Sequence, residues 1–97
     1  MADSFRFHPN AAREFEDAAA WYDERRPGLG AEFAAAVFEL ADQVAASPRR
    51  WRRVRKARRA LLTRFPYAIV YREVPGGAIE IVAVAHLSRR PGYWSRR

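Results

Sequence analysis

The chain has 97 residues, 49% of them hydrophobic and 13% aromatic, enough for one core and too few for two, so a single domain over residues 1–97 is expected. It has no cysteine, which excludes disulfide staples, thiolate metal sites and a cysteine nucleophile, and suits a reducing cytoplasm. The net charge of +7 is split unevenly: residues 1–47 carry four basic and nine acidic side chains, a net of −5, while residues 48–97 carry fourteen and two, a net of +12.

Met1-Ala2-Asp3-Ser4-Phe5 lacks the basic and apolar regions of an export signal, and no apolar run is long enough to cross a membrane, so a cytoplasmic protein is expected. Phe5-Arg6-Phe7 alternates apolar and polar before His8-Pro9-Asn10 and reads as a short edge strand. From a capping Asn10, residues Ala11, Phe15, Ala18 or Ala19, and Tyr22 recur at helical spacing up to about Arg26. Pro27-Gly28-Leu29-Gly30 breaks that helix. A second stripe of Leu29, Phe33, Val37, Leu40 and Val44 continues to Ala46, where Ser47-Pro48 stops it. So short a link folds the two helices into an antiparallel hairpin.

Beyond Pro48 the period changes from helical to alternating. Strands are expected over 51–54, 60–65, 67–74 and 79–86, with Pro75-Gly76-Gly77 turning the last two into an antiparallel pair. Strict alternation places Ile79, Ile81, Ala83 and Ala85 on one face of the last strand and Glu80, Val82, Val84 and His86 on the other. The predicted fold is α+β in the order β-α-α-β-β-β-β. An N-terminal strand and a helical hairpin cover one face of a mainly antiparallel sheet, and the other face is partly open.

Two constellations carry chemistry. Arg49, Arg50, Trp51, Arg52, Arg53, Arg55, Lys56, Arg58 and Arg59 place seven arginines and a lysine within eleven residues. They read as a solvated basic strand, as a groove for nucleic acid with Trp51 stacked on a base, or as a dock for an acidic protein. The closing segment adds Arg90 and Trp94 to that surface. It also holds His86, Arg89 and Tyr93, which with Arg64 match on paper the needs of RNA cleavage through the 2′-hydroxyl. His86 would be the base, Tyr93 the acid, and Arg89 or Arg64 the cation on the phosphate; the other reading of His86 is a hydrogen-bonded structural group. Only His8 and His86, with Glu73 and Glu80 as the sole acids after Pro48, are available as ligands there, so no metal and no cofactor are expected.

Phe7-His8-Pro9 with Ala12 and Glu14, Ala19 to Tyr22, Gly28-Leu29-Gly30 with Phe33, Arg64-Phe65-Pro66-Tyr67-Ala68-Ile69-Val70-Tyr71, and His86 through Arg97 together resemble the RelE/ParE toxin superfamily, including its plasmid-stabilisation members. The resemblance spans nearly the whole chain and implies the same fold. It further implies a toxin neutralised, in a hetero-oligomer, by a cognate acidic antitoxin whose C-terminal segment wraps the helices and sheet. Members of the RelE type cut mRNA on the ribosome, and several carry a basic residue at the positions of Ala68 and Leu87. Members of the ParE type poison DNA gyrase. The expected function is therefore a growth-inhibiting toxin that binds a macromolecular target, DNA gyrase. The alternatives are a metal-independent, ribosome-dependent mRNA endoribonuclease and a non-toxic nucleic-acid-binding module.

Overall fold

The computed structural model describes residues 5–97; residues 1–4, read above for an export signal, lie outside them. The elements run β1 (Phe5–Phe7), α1 (Pro9–Arg25), α2 (Leu29–Ala46), β2 (Arg52–Val54), β3 (Ala57–Leu61), β4 (Tyr67–Glu73) and β5 (Ile79–His86). They form one sheet in the order β1-β5-β4-β3-β2, antiparallel throughout except that β1 runs parallel to β5. The predicted α+β plan and element order are those observed. No helix is long and apolar enough to cross a membrane among the described residues.

Helix α1 starts earlier than the capping reading of Asn10 placed it. His8 is the cap, its Nδ1 accepting the Asn10 N–H at 3.0 Å, and Pro9 opens the helix, where its fixed φ costs nothing and its missing N–H is not needed. At the hairpin, Asp23 of α1 substitutes for a cap that α2 lacks. Its Oδ1 accepts the N–H groups of Gly28 (2.9 Å) and Gly30 (3.1 Å). The helices touch at Gly30, where a Cβ would collide with the Ala19 carbonyl oxygen and press on Asp23. Phe33, Val37, Leu40 and Val44 then present one buried stripe to the sheet. They meet Ile69, Tyr71, Ile79 and Ile81, all fully buried. Each such side chain contributes about 1.5–3 kcal/mol when removed from water. The Tyr71 hydroxyl escapes isolation by donating to the Pro48 carbonyl at 2.7 Å, and burial pushes its phenol up to about 12.

Two strand readings are corrected. The strand expected over 60–65 lies at Ala57–Leu61, because Arg55 and Lys56 form a two-residue hairpin turn and pair β3 directly with β2. Its arginines hid the alternation, which survives only as Ala57 on one face and Ala60 on the other. Phe65 leaves the strand for the core, and Pro66, without an N–H, cannot join a ladder. In β5 strict alternation fails at a bulge: Val70 pairs with Ala83 but Tyr71 pairs with Ile81, leaving Val82 as an extra residue. Ile79, Ile81 and, past the bulge, Val84 therefore face the helices, while Val82 and Ala83 face away. The outward face is not simply open. Tyr93 and Trp94 of the tail pack on Val70, Val82, Ala83 and Ala57, giving a third layer.

Candidate anion-binding groove

After β5 the chain makes a chain of tight turns, with Arg89 N–H bonded to the His86 carbonyl, Ser95 N–H to Gly92 and Arg97 N–H to Trp94. Tyr93 and Trp94 pack this segment on the sheet, and Glu14 adds a polar anchor. Its Oε1 accepts Val84 N–H (3.0 Å) and Arg97 Nη1 (2.9 Å), and its Oε2 accepts the Tyr93 hydroxyl (2.8 Å) and Arg97 Nη2 (2.9 Å). Arg97 also donates to the Val82 carbonyl at 2.9 Å, so the bulged residue is tied to the end of the tail. The Glu14 and Arg97 side chains are only 17% and 15% exposed, which strengthens the pair by shielding it from water. Arg72 adds a second tether, donating to the Arg97 main-chain oxygen at 3.0 Å.

Between this anchored tail and the outward sheet face lies a groove of about 330 Å³. Its floor is Ala68, Val70 and Ala85, and Trp94 forms one wall. Arg55, Arg59, Arg89 and Arg90 line it, with no acidic side chain in the lining among the described residues. Among the described residues none of these four arginines is in an ion pair. Arg55 reaches it from a left-handed backbone (φ 56) at the hairpin turn, and its guanidinium lies where a Cβ on Gly92 would stand, 2.7 Å away. Gly92 is thus required both by its own φ of 77 and by the space Arg55 occupies. Convergence of like charges on an apolar floor is unfavourable until an anion arrives.

The basic residues singled out in the sequence do not all meet here. Arg55, Arg59, Arg90 and Trp94 do, whereas Arg52 and Arg53 are exposed on the outer strand and Lys56 is exposed at its turn. Arg49 pairs with Glu73 at 3.3 Å, and Arg50 stacks on Trp51. Trp51 packs against the helix-side core with its Nε1 buried and unpartnered, and its carbonyl accepts from Arg58 at 2.8 Å.

The four residues considered for RNA cleavage are also divided. His86, Arg89 and Tyr93 line the groove, but Arg64 pairs with Glu32 of α2 at 2.7 Å. His86 Nδ1 accepts the Ser88 N–H at 3.0 Å, so a neutral ring carries its proton on Nε2 and has no free lone pair for a substrate hydroxyl. Tyr93 already donates to Glu14, and burial together with that carboxylate raises its phenol well above the usual value, which opposes proton release. Its ring is covered by the Arg89 guanidinium at 3.8 Å. A second cleft of about 600 Å³, lined by Trp21, Tyr22, Tyr67 and Asp17, shares His86 and Arg89 with the first. Sequence reading missed Glu14 and Arg97 as the tail's anchor. The signal was there for Glu14, a carboxylate three residues after Ala11 and four before Ala18, on the buried stripe of α1.

A family model described as ParE toxin of type II toxin-antitoxin system, parDE, matches residues 5–91. The chain belongs to the ParE toxin family. A solved structure titled chromosomal ParDE TA system from P. aeruginosa is similar to this ParE-family chain with a TM-score of 0.72. Its identity is 20%, over 88% of this chain and 96% of that one, a likeness that shows the fold. No curated protein matches the sequence. The ParE-family assignment makes this chain a type II toxin, with the groove and its tail on the sheet face opposite the helical hairpin.

Proposed function

We propose that this toxin inhibits growth by binding a macromolecular target, DNA gyrase, and that a cognate acidic antitoxin neutralises it by covering its cationic surface in a hetero-oligomer. The observation that carries this reading is the groove itself: four guanidinium groups without carboxylate partners stand beside a histidine and a tyrosine both committed to internal hydrogen bonds. Such a surface recognises anions without a ready acid and base pair. Ala68 and Leu87 support the same reading, since the groove is apolar where ribonuclease relatives carry cations. The test is controlled expression in bacteria with growth, mRNA integrity and gyrase supercoiling scored together. Arrested growth with impaired supercoiling and intact mRNA supports the proposal; codon-positioned mRNA cuts with normal supercoiling overturn it.

A ribosome-dependent ribonuclease is the second reading, favoured by the placement of His86, Arg89 and Arg90 around one groove. It requires that His86→Ala abolish cleavage in a folded protein. A non-toxic nucleic-acid-binding module would instead leave growth unaffected and bind DNA or RNA with steep salt dependence.

A further inference from the structure

We propose that the groove docks an extended acidic segment of the neutralising partner through one apolar side chain, which seats on Ala68, Val70 and Ala85 while flanking carboxylates pair with Arg55, Arg59, Arg89 and Arg90. The inference rests on the acidic partner proposed above and names its recognition element. Three features of the groove select this occupant. Its floor is made of small apolar side chains, and a cavity of about 330 Å³ leaves room above them for a side chain of leucine or phenylalanine size. Its rim is cationic and free of acids, and guanidinium groups bind carboxylates in two-pronged geometry. Its aromatic walls are partly engaged, because Arg89 covers the Tyr93 ring at 3.8 Å and Trp94 packs on the Val70, Val82 and Ala83 cluster.

The floor separates a peptide from a nucleic acid. A phosphate chain would engage the arginines and leave the alanine and valine floor unfilled. An acidic peptide with one apolar anchor satisfies floor and rim together. The neighbouring cleft also limits the segment's register. Beyond His86 and Arg89 it presents Asp17 and the half-exposed Trp21, so the acidic stretch ends at Arg89 and an apolar or aromatic continuation follows.

The experiment uses the purified full chain and two fluorescein-labelled peptides, Gly-Asp-Glu-Asp-Leu-Asp-Glu-Asp-Gly and the same peptide with alanine for leucine, read by anisotropy. The leucine peptide should bind about tenfold more tightly, the value of burying a leucine side chain in place of alanine. Ala85→Leu fills the floor and should erase that tenfold difference while leaving salt-sensitive binding; Arg59→Glu, at the half-buried rim, should weaken both peptides. Circular dichroism confirms that each variant is folded, and Arg59→Glu keeps the test decisive if Ala85→Leu is not. Equal binding of the two peptides, or no binding of either, overturns the anchor. Tighter binding of a nine-nucleotide oligothymidylate that displaces the leucine peptide assigns the groove to nucleic acid and overturns the proposal. The acidic protein encoded beside the gene separates the two levels. If it neutralises the Ala85→Leu toxin with unchanged affinity, docking lies elsewhere and the partner reading stands; if it neutralises neither form, the partner reading itself falls.

Discussion

Glu14, near the start of the first helix, and Arg97, at the far end of the described chain, form a two-pronged ion pair with both nitrogen-to-oxygen distances 2.9 Å. The pair joins the helical layer to the tail layer beside the bulge of β5, where Glu14 also accepts the Val84 N–H and Arg97 also donates to the Val82 carbonyl. It thereby sets one wall of the arginine groove.

Glu14→Gln keeps the side chain's size but leaves the Arg97 guanidinium without its countercharge, and breaking a shielded pair in this way should cost about 3 kcal/mol. Tyr93→Phe removes one hydrogen bond to the same carboxylate and should cost about 1 kcal/mol. Urea unfolding of each variant measures both. Equal, negligible losses would show that the tail is not anchored through Glu14.

At the hairpin, Gly30→Ala drives a methyl group into the Ala19 carbonyl and should destabilise the protein by at least about 2 kcal/mol, whereas Asp23→Ala loses the surrogate cap of α2 for about 1 kcal/mol. Thermal unfolding should rank Gly30→Ala well below Asp23→Ala. The reverse order would mean that the helices separate easily at this crossing.

Arg55 holds a left-handed backbone conformation that a glycine adopts freely. Arg55→Gly should therefore retain or gain stability, by about 1 kcal/mol at most, while weakening binding of any anionic partner to the groove. Paired measurements of unfolding and peptide anisotropy test this. A variant that binds as well as the parent would remove Arg55 from the interface.

Alkali should unfold the protein through its tyrosines. Burial raises the Tyr71 phenol from 10.0 to about 12, and Tyr93 is raised by burial and by Glu14. A phenol raised in the folded state contributes stability that is complete below its unfolded value and is lost as pH climbs through its folded value. Stability should thus hold to about pH 10 and decline toward pH 12, with phenolate absorbance at 295 nm rising together with loss of the helical circular dichroism signal. Tyrosines that ionise near pH 10 with the fold intact would contradict the buried placement of Tyr71 and Tyr93.

Much of this was readable from local pattern. The stripe of Phe33, Val37, Leu40 and Val44 and the Pro75-Gly76-Gly77 turn between Glu73 and Ile79 depend on neighbours a few residues apart, and periodicity reports such neighbours directly. Charge is additive along the chain, so the cationic second half was equally plain. What pattern could not supply was the partner of each group across the fold. The bulge at Val82 inverts the faces of β5, because a ladder's register depends on both strands at once.

By itself the sequence determined the α+β order of elements, the family resemblance and a surplus of arginine beyond Pro48. Only the tertiary structure decided which arginines meet. It gathers Arg55, Arg59, Arg89 and Arg90 over Ala68, Val70 and Ala85, sends Arg49 and Arg64 to Glu73 and Glu32, and commits His86 and Tyr93 to Ser88 and Glu14. The physical reason is that the tail has no periodicity of its own. Its position is set by a carboxylate 83 residues earlier in the chain, a contact that exists only once the helix and sheet have packed.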